Sequence, residues 1–176
     1  YHGSEEGLET LLGYQLFSIG NRADSAALVY QVDYVLDGYV KKAGTNFVLS
    51  VGRLIGSQPE LKGEQRLRKE DIYWEMPRCY QWDITVNLPE GYRISPEGLE
   101  RLNVKVENDC GAFIVQATTE DGTLRIKAEK RINHKTEPVA NWEKLLEITD
   151  AANSYEALSI VFQATINPPT SPTTGY

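Results

Sequence analysis

Apolar and polar side chains alternate one by one along much of the chain, and no other feature of the sequence constrains the fold as strongly. A β-strand turns successive side chains to opposite faces, so each alternating segment has one apolar face and one polar face. One face is then buried and the other lies in water, which is typical of antiparallel sheets. The alternation is clearest in residues 28–36, 80–88, 102–106, 113–118 and 124–129. We therefore predict a mostly β fold, an antiparallel β-sandwich with one or two peripheral helices.

Turn and helix signals order these strands along the chain. Asp121-Gly122 is a strong signal for a two-residue hairpin, so residues 102–130 are predicted to form a three-stranded antiparallel meander. The alternation in residues 46–55 predicts one more strand upstream. Apolar residues recur at helical spacing beyond position 138 and predict a helix that runs to about Ala152.

The same patterns suggest how the chain is organised. Residues 25–164 are the predicted β-sandwich domain. Residues 1–24 precede it as a linker that contains a short helix or a strand, since the leucine spacing fits both. Residues 165–176 are rich in Pro, Thr and Ser and lack apolar residues to bury, so we predict a disordered tail.

The segment DIYWEMPRCYQW, residues 71–82, is dense in aromatic side chains. Such a density is found in sugar-binding grooves, in surfaces that stack nucleobases and in protein cores. Pro77 interrupts the segment, because proline cannot donate a hydrogen bond to a neighbouring strand. Alternation places four large side chains on the core-facing register, and we predict that they pack in the core: Trp74, Met76, Tyr80 and Trp82.

Four side chains remain as candidates for contact with a ligand or partner. Tyr73 falls on the face opposite the predicted core and is the strongest candidate, followed by Tyr39. Arg66 and Arg68 lie in the charged run RLRKED, which could dock a carboxylate-bearing ligand or a neighbouring domain. A solvated connection that leads into a strand is the simpler interpretation of this run.

The overall charge excludes some classes of partner. The formal net charge is −7, which argues against nucleic acid, because phosphate contacts need clustered Lys and Arg. It also argues against docking on anionic membrane surfaces. No apolar run approaches the roughly 18 residues that a membrane-spanning helix needs.

The sequence lacks the motifs of catalytic and metal sites. There is no CxxC or HExxH motif and no calcium-binding loop, so we expect no metal site and no cofactor. His134 is the one plausible base for a cysteine nucleophile. Cys110 lies in a turn that we expect to be exposed, with no third residue to orient the pair. We therefore expect no catalytic residue, and we expect Cys79 and Cys110 to be unpaired thiols unless an oxidising compartment joins them.

Three segments carry a family resemblance: VKKAGTNFVLSVGRLIG (40–56), RLRKEDIYWEMPRCYQWDITVNLPEGYRI (66–94) and NWEKLLEITDAAN (141–153). They resemble the C-terminal β-rich domain, of unknown function, of bacterial transglutaminase-like envelope proteins, over about residues 25–162. Proteins of that family also carry an N-terminal β-domain of unknown function and a transglutaminase-like core with a Cys-His-Asp triad. That core is not in this chain, so the resemblance implies no catalytic residue here. It implies a secreted or periplasmic parent protein.

Together these features predict a non-catalytic C-terminal accessory domain of a secreted transglutaminase- or protease-like protein, which packs against or positions the catalytic core. One alternative is a carbohydrate- or peptidoglycan-binding β-sandwich module that uses exposed aromatics. A second alternative is a protein-interaction domain that adds a partner strand to a sheet edge. The expected partners are upstream domains of the same precursor and a cell-envelope polymer or protein.

Overall fold

The computed structural model describes residues 8–21 and 26–165. The chain forms two compact units, one that ends at Lys41 and one that begins at Lys42. The fold class is confirmed, since the chain is mostly β with antiparallel sheets and one main helix. Except for Thr165, the tail predicted to be disordered lies outside the described residues.

The first unit contains a two-stranded antiparallel ribbon. Strand β1 (Leu8–Asn21) pairs with β2 (Ala26–Leu36). The leucine-rich N-terminal segment, which the sequence left open between helix and strand, is therefore a strand where it is described. Three register shifts along β1 mark bulges, each of which increases the local twist of the ribbon.

The remaining elements are, in chain order, β3 (Val40–Ala43), β4 (Asn46–Leu49), β5 (Ile72–Tyr73), β6 (Arg78–Asn87), β7 (Tyr92–Ile94), α1 (Pro96–Glu100), β8 (Val104–Asn108), β9 (Gly111–Glu120), β10 (Thr123–Ile132), β11 (Thr136–Glu137), α2 (Trp142–Glu156) and β12 (Ile160–Ala164). One four-stranded sheet has the order β6-β10-β9-β8, a second has the order β3-β4-β12-β7, and β5 pairs with β11. No helix in the described part of the chain is long and apolar enough to span a membrane.

The predicted meander is confirmed as β8, β9 and β10. Asp121 and Gly122 form the two-residue loop between β9 and β10, and both have positive φ angles, of 48° and 72°. Type I′ hairpin turns require positive φ at both central residues, which Asp-Gly provides at little steric cost. The meander gains a fourth strand, because β6 pairs along the full length of β10.

Helix α2 packs on this sheet and forms the main core. It contacts β8 and β9, and its Tyr155 ring meets Phe113 of β9 edge-on, with 5.8 Å between the ring centroids. The helix extends beyond the predicted end at Ala152, because Tyr155 continues its buried face. Five residues of the helix are buried: Leu145, Leu146, Ile148, Ala152 and Tyr155.

The strand predicted over residues 46–55 is shorter than expected. Strand β4 ends at Leu49, and Val51–Ile55 form a 3₁₀ turn whose two end residues are buried. Gly52 allows this turn, since a Cβ atom there would lie 1.9 Å from the carbonyl oxygen of Tyr155. The Gly52 N–H also donates to the Leu158 carbonyl at 3.0 Å. Contact with the end of α2 therefore replaces the expected strand.

Two of the four side chains that were predicted to pack in the core are exposed. The side chains of Met76 and Tyr80 are 57% and 49% exposed, so their predicted burial is wrong. Trp74 and Trp82 are half-buried. The register assignment of β6 is correct, but β6 is an edge strand, and α2 covers the same face of the sheet only over β8 and β9.

Replacing Phe113 by Ala is expected to destabilise the fold strongly. The ring is fully buried and packs on Tyr155, so its removal leaves a cavity between β9 and α2. We expect a loss of about 3–5 kcal/mol in the free energy of unfolding, measured by urea titration. Val161→Ala, at an exposed position of β12, is the control and should change the value by less than about 0.5 kcal/mol. Similar small effects for both variants would contradict this core assignment.

Candidate functional site

An open cleft of about 500 Å³ lies beside β6 in the second unit. This volume is within the roughly 300–1,000 Å³ typical of small-molecule clefts. Three aromatic side chains and two cations line it, together with Ile55, Ser57, Gln58, Pro59, Ile132 and Thr149. The five side chains are Trp74, Tyr80, Trp82, Arg78 and Lys130.

The cleft is the part of the sheet's core-facing side that α2 does not cover. Tyr80 of β6 lies opposite Lys130 of β10, and Trp82 lies opposite Ala128. These residues share a face with Phe113, which is opposite Lys130 on the other neighbouring strand. Over β8 and β9 that face packs against the helix, whereas near the end of β10 it opens to solvent.

Two of the three aromatic rings of the cleft stack on each other, and the third packs against a buried cluster. The rings of Tyr80 and Trp82 stack with an interplanar angle of 22° and a centroid separation of 6.0 Å. The backbone N–H of Trp74 donates to the Lys135 carbonyl at 2.8 Å. The Trp74 side chain packs on a buried cluster that contains Ile72 and Leu145. Stacked and buttressed rings of this kind present a preformed apolar surface.

The polar side of the cleft is cationic. Lys130 is half-buried, and its Nζ donates to Oε1 of Gln58 at 2.9 Å. The Gln58 amide is oriented in turn, because its Nε2 donates to the carbonyls of Ile55 and Gly56. Burial lowers the pKa of the Lys130 ammonium below its ordinary value. Among the described residues that line the cleft there is no carboxylate to pair with Lys130 or Arg78.

The sequence analysis did not identify the cleft. Alternation predicted that its aromatic side chains pack in the core, and Lys130 was not among the candidate residues. The sequence does contain a signal for an uncovered face. Leu124, Ile126 and Ala128 define an apolar register on β10, and Lys130 occupies its next position. A lysine at a core-facing position indicates that the face is no longer covered there.

The two arginine candidates form structural contacts. Arg66 makes a two-pronged ion pair with Asp150 of α2, with N–O distances of 2.7 and 2.8 Å. This hydrogen-bonded guanidinium lowers the pKa of the Asp150 carboxyl. The indole of Trp142 donates to the Arg66 carbonyl, and the Arg68 guanidinium lies 5.5 Å from the centroid of the Trp142 ring. Both arginines therefore attach the loop before β5 to α2.

The two tyrosine candidates also lie outside the cleft lining. Tyr73 is 64% exposed, as alternation suggested, and the Lys135 ammonium lies 5.2 Å from its ring centroid. Tyr39 is half-buried and belongs to the unit that ends at Lys41. The structure does not bring Tyr73 together with Arg66 and Arg68 into one pocket.

A buried carboxylate, Glu137, lies close to both His134 and the second cysteine, Cys110. Glu137 is 2% exposed and contacts Nδ1 of His134 at 2.5 Å and Nδ2 of Asn141 at 2.8 Å. Cys110 lies close enough to Glu137 for the carboxylate charge to act on its thiol. Cys110 is fully buried, which corrects the expectation of an exposed turn residue, and it is not paired with Cys79.

This arrangement is not suited to nucleophilic catalysis. Burial and the adjacent Glu137 charge raise the pKa of the Cys110 thiol, so the thiol stays protonated and out of reach of a substrate. The side-chain charge that raises the pKa of the thiol comes mainly from a carboxylate and not from a histidine base. Within residues 8–21 and 26–165 no group of three or more His, Cys, Asp or Glu side chains is arranged to hold a metal ion.

Glu137→Gln is expected to remove a pH-dependent part of the stability. Burial alone would raise the pKa of Glu137, but the hydrogen bonds from Asn141 and His134 outweigh it and the pKa is lowered. The stabilisation is therefore present above the unfolded-state pKa of about 4.3 and is lost as the pH falls through the folded-state pKa. The variant should lose about 1–3 kcal/mol at pH 7, and the difference should shrink near pH 3, measured by urea titration. A constant difference at both pH values would contradict this assignment.

A family model described as a domain of unknown function, DUF3858, matches residues 51–162. The match covers more than half of the chain and includes every residue that lines the cleft. No curated protein matches the chain significantly, and no solved structure does. The chain therefore belongs to the DUF3858 family of domains of unknown function.

Proposed function

We propose that this chain is a non-catalytic accessory domain of a secreted or periplasmic transglutaminase- or protease-like protein, and that it packs against or positions the catalytic core. The observation that carries the proposal is the apolar surface of the β1–β2 ribbon. The sequence resemblance to bacterial transglutaminase-like envelope proteins indicates that the partner is a transglutaminase- or protease-like catalytic core.

The ribbon exposes large apolar side chains on both of its faces. Leu12 is 67% exposed and Ile19 is 81% exposed. Neighbouring residues such as Leu16 and Phe17 are exposed together, although successive strand residues point to opposite faces. An isolated two-stranded ribbon is at best marginally stable in water, and exposed apolar surface of this extent marks an interaction site. The ribbon therefore needs another layer of protein.

The geometry of the ribbon suggests two ways of docking. A partner can cover one or both apolar faces, which is the packing expected against a catalytic core. A partner strand can also pair with the outer edge of β1 or β2, which are the two strands of a two-stranded sheet. Both ways use backbone and apolar side chains, and neither requires a catalytic group from this chain.

The chemistry of the second unit supports a non-catalytic role. Cys110 is buried, and its thiol pKa is raised. Asp150 forms a two-pronged ion pair with Arg66, and Glu137 accepts a hydrogen bond from Asn141. Both carboxylates therefore make structural contacts. The proposed role needs no cofactor.

Hydrogen exchange should show that the ribbon depends on a partner. In the isolated chain, the amides of β1 and β2 should exchange much faster than those of β9 and β10, since the ribbon alone is marginally stable. In the whole parent protein the ribbon amides should become protected. Ile19→Asp on β1 should abolish that gain, whereas the control Val161→Asp, at an exposed apolar position of β12, should leave it unchanged. Equal ribbon protection in the monomeric chain and in the parent protein would contradict docking.

The absence of catalysis can be tested separately. The isolated chain should turn over no substrate in a panel of peptides, amides and glycosides, and a transglutaminase-like core should be encoded upstream of Tyr1. The matched variant is Cys110→Ser, which removes the thiol and keeps a small polar side chain. Turnover that is lost in this variant, or a gene with no such core, would overturn the proposal.

A further inference from the structure

The cationic groups of the cleft differ from other partly buried cations of the described chain. Arg66 pairs with Asp150, Arg131 pairs with Glu107 and Glu129, and Lys144 pairs with Asp109. Lys130 instead has the neutral oxygen of Gln58 as its hydrogen-bond acceptor. An ammonium that has lost part of its water and has no counter-ion gains most from an added anion.

The positive charge of the cleft favours a ligand that carries a carboxylate. The chain carries a net charge of −7, yet its cleft presents Lys130 and Arg78 and no lining carboxylate among the described residues. A carboxylate between these two cations would make charge-assisted hydrogen bonds, which are about twice as strong as neutral ones. Near the cleft, the carboxylates of Asp150 and Glu156 already accept hydrogen bonds from Arg66 and Gln58.

The aromatic side of the cleft suits a partner that is apolar on its faces and polar at its rim. The rings of Tyr80 and Trp82 stack on each other beside Lys130, and the exposed part of this stack lines the cleft. A pyranose ring presents C–H groups on its faces, which pack on aromatic rings, and hydroxyls at its rim, which suit the side chains of Ser57 and Thr149. A sugar ring that carries a carboxylate satisfies both sides of the cleft at once.

We propose that the cleft beside β6 binds a carboxylate-bearing sugar, a hexuronate unit of an anionic oligosaccharide. The sugar ring packs against the stacked rings of Tyr80 and Trp82, and its carboxylate pairs with Lys130 and Arg78. This site lies entirely in the second unit and does not depend on the docking role of the ribbon.

Calorimetric titration with tetragalacturonate and tetramannuronate tests the site, with fully methyl-esterified tetragalacturonate as the uncharged counterpart. The protein should bind at least one of the two acids and bind the ester at least tenfold more weakly. Lys130→Met should reduce the affinity for the acid about tenfold or more, and Lys130→Arg, which keeps the charge, should restore much of it. Tyr80→Ala should also weaken binding, whereas Tyr73→Ala removes another exposed tyrosine, which lies outside the cleft, and should have no effect.

Four results would overturn the proposal. The first is the absence of binding by both acids at millimolar concentration. The second is equal affinity for the acid and its methyl ester. The third is unchanged affinity in Lys130→Met while urea titration shows that this variant is folded. The fourth is equally tight binding of a tetraglutamate peptide, which would mean that the cleft recognises charge without the sugar ring.

Discussion

The packing of one helix on a four-stranded sheet determines the rest of the second unit. Neighbouring strands lie about 4.8 Å apart, whereas a helix with its side chains is about 10 Å wide, so one helix covers about two strands. Here α2 covers β8 and β9 through contacts centred on Tyr155 and Phe113. The core-facing side of β6 and the end of β10 consequently remain open. The cleft results from this difference in width.

Local sequence signals predicted the elements whose geometry is local. The Asp121-Gly122 turn, the meander from residue 102 to residue 130 and the helix after Pro138 all follow from turn chemistry and periodicity. Alternation also assigned Tyr80 and Trp82 to the correct face of β6. It could not indicate whether another element covers that face, because coverage depends on where α2 lies. Tyr80 was therefore predicted to be buried and is exposed, whereas Met76 is exposed because it lies in the bend between β5 and β6 and not on a strand.

The remaining differences come from contacts between distant parts of the chain. Val51–Ile55 alternate like a strand, but the close approach of Gly52 to the end of α2 favours a 3₁₀ turn. Cys110 lies in a polar turn and is buried because β11 and α2 bring Glu137 and Leu145 beside it. Arg66 resembled a docking residue, although its partner Asp150 lies 84 residues later in the chain. The pattern of residues within one segment does not show which distant residue each side chain will contact.

Lys130 has a consequence for the unliganded protein. It occupies a register position that Leu124, Ile126 and Ala128 fill with apolar side chains, and it loses part of its hydration there, with no carboxylate among the described residues that line the cleft. A methionine of similar length would pack beside Tyr80, the cross-strand neighbour, without that electrostatic cost, so the native lysine makes the empty fold less stable than its architecture permits. A stability deficit of this kind is characteristic of binding sites. It also means that any anion seated in the cleft would raise the melting temperature of the whole unit.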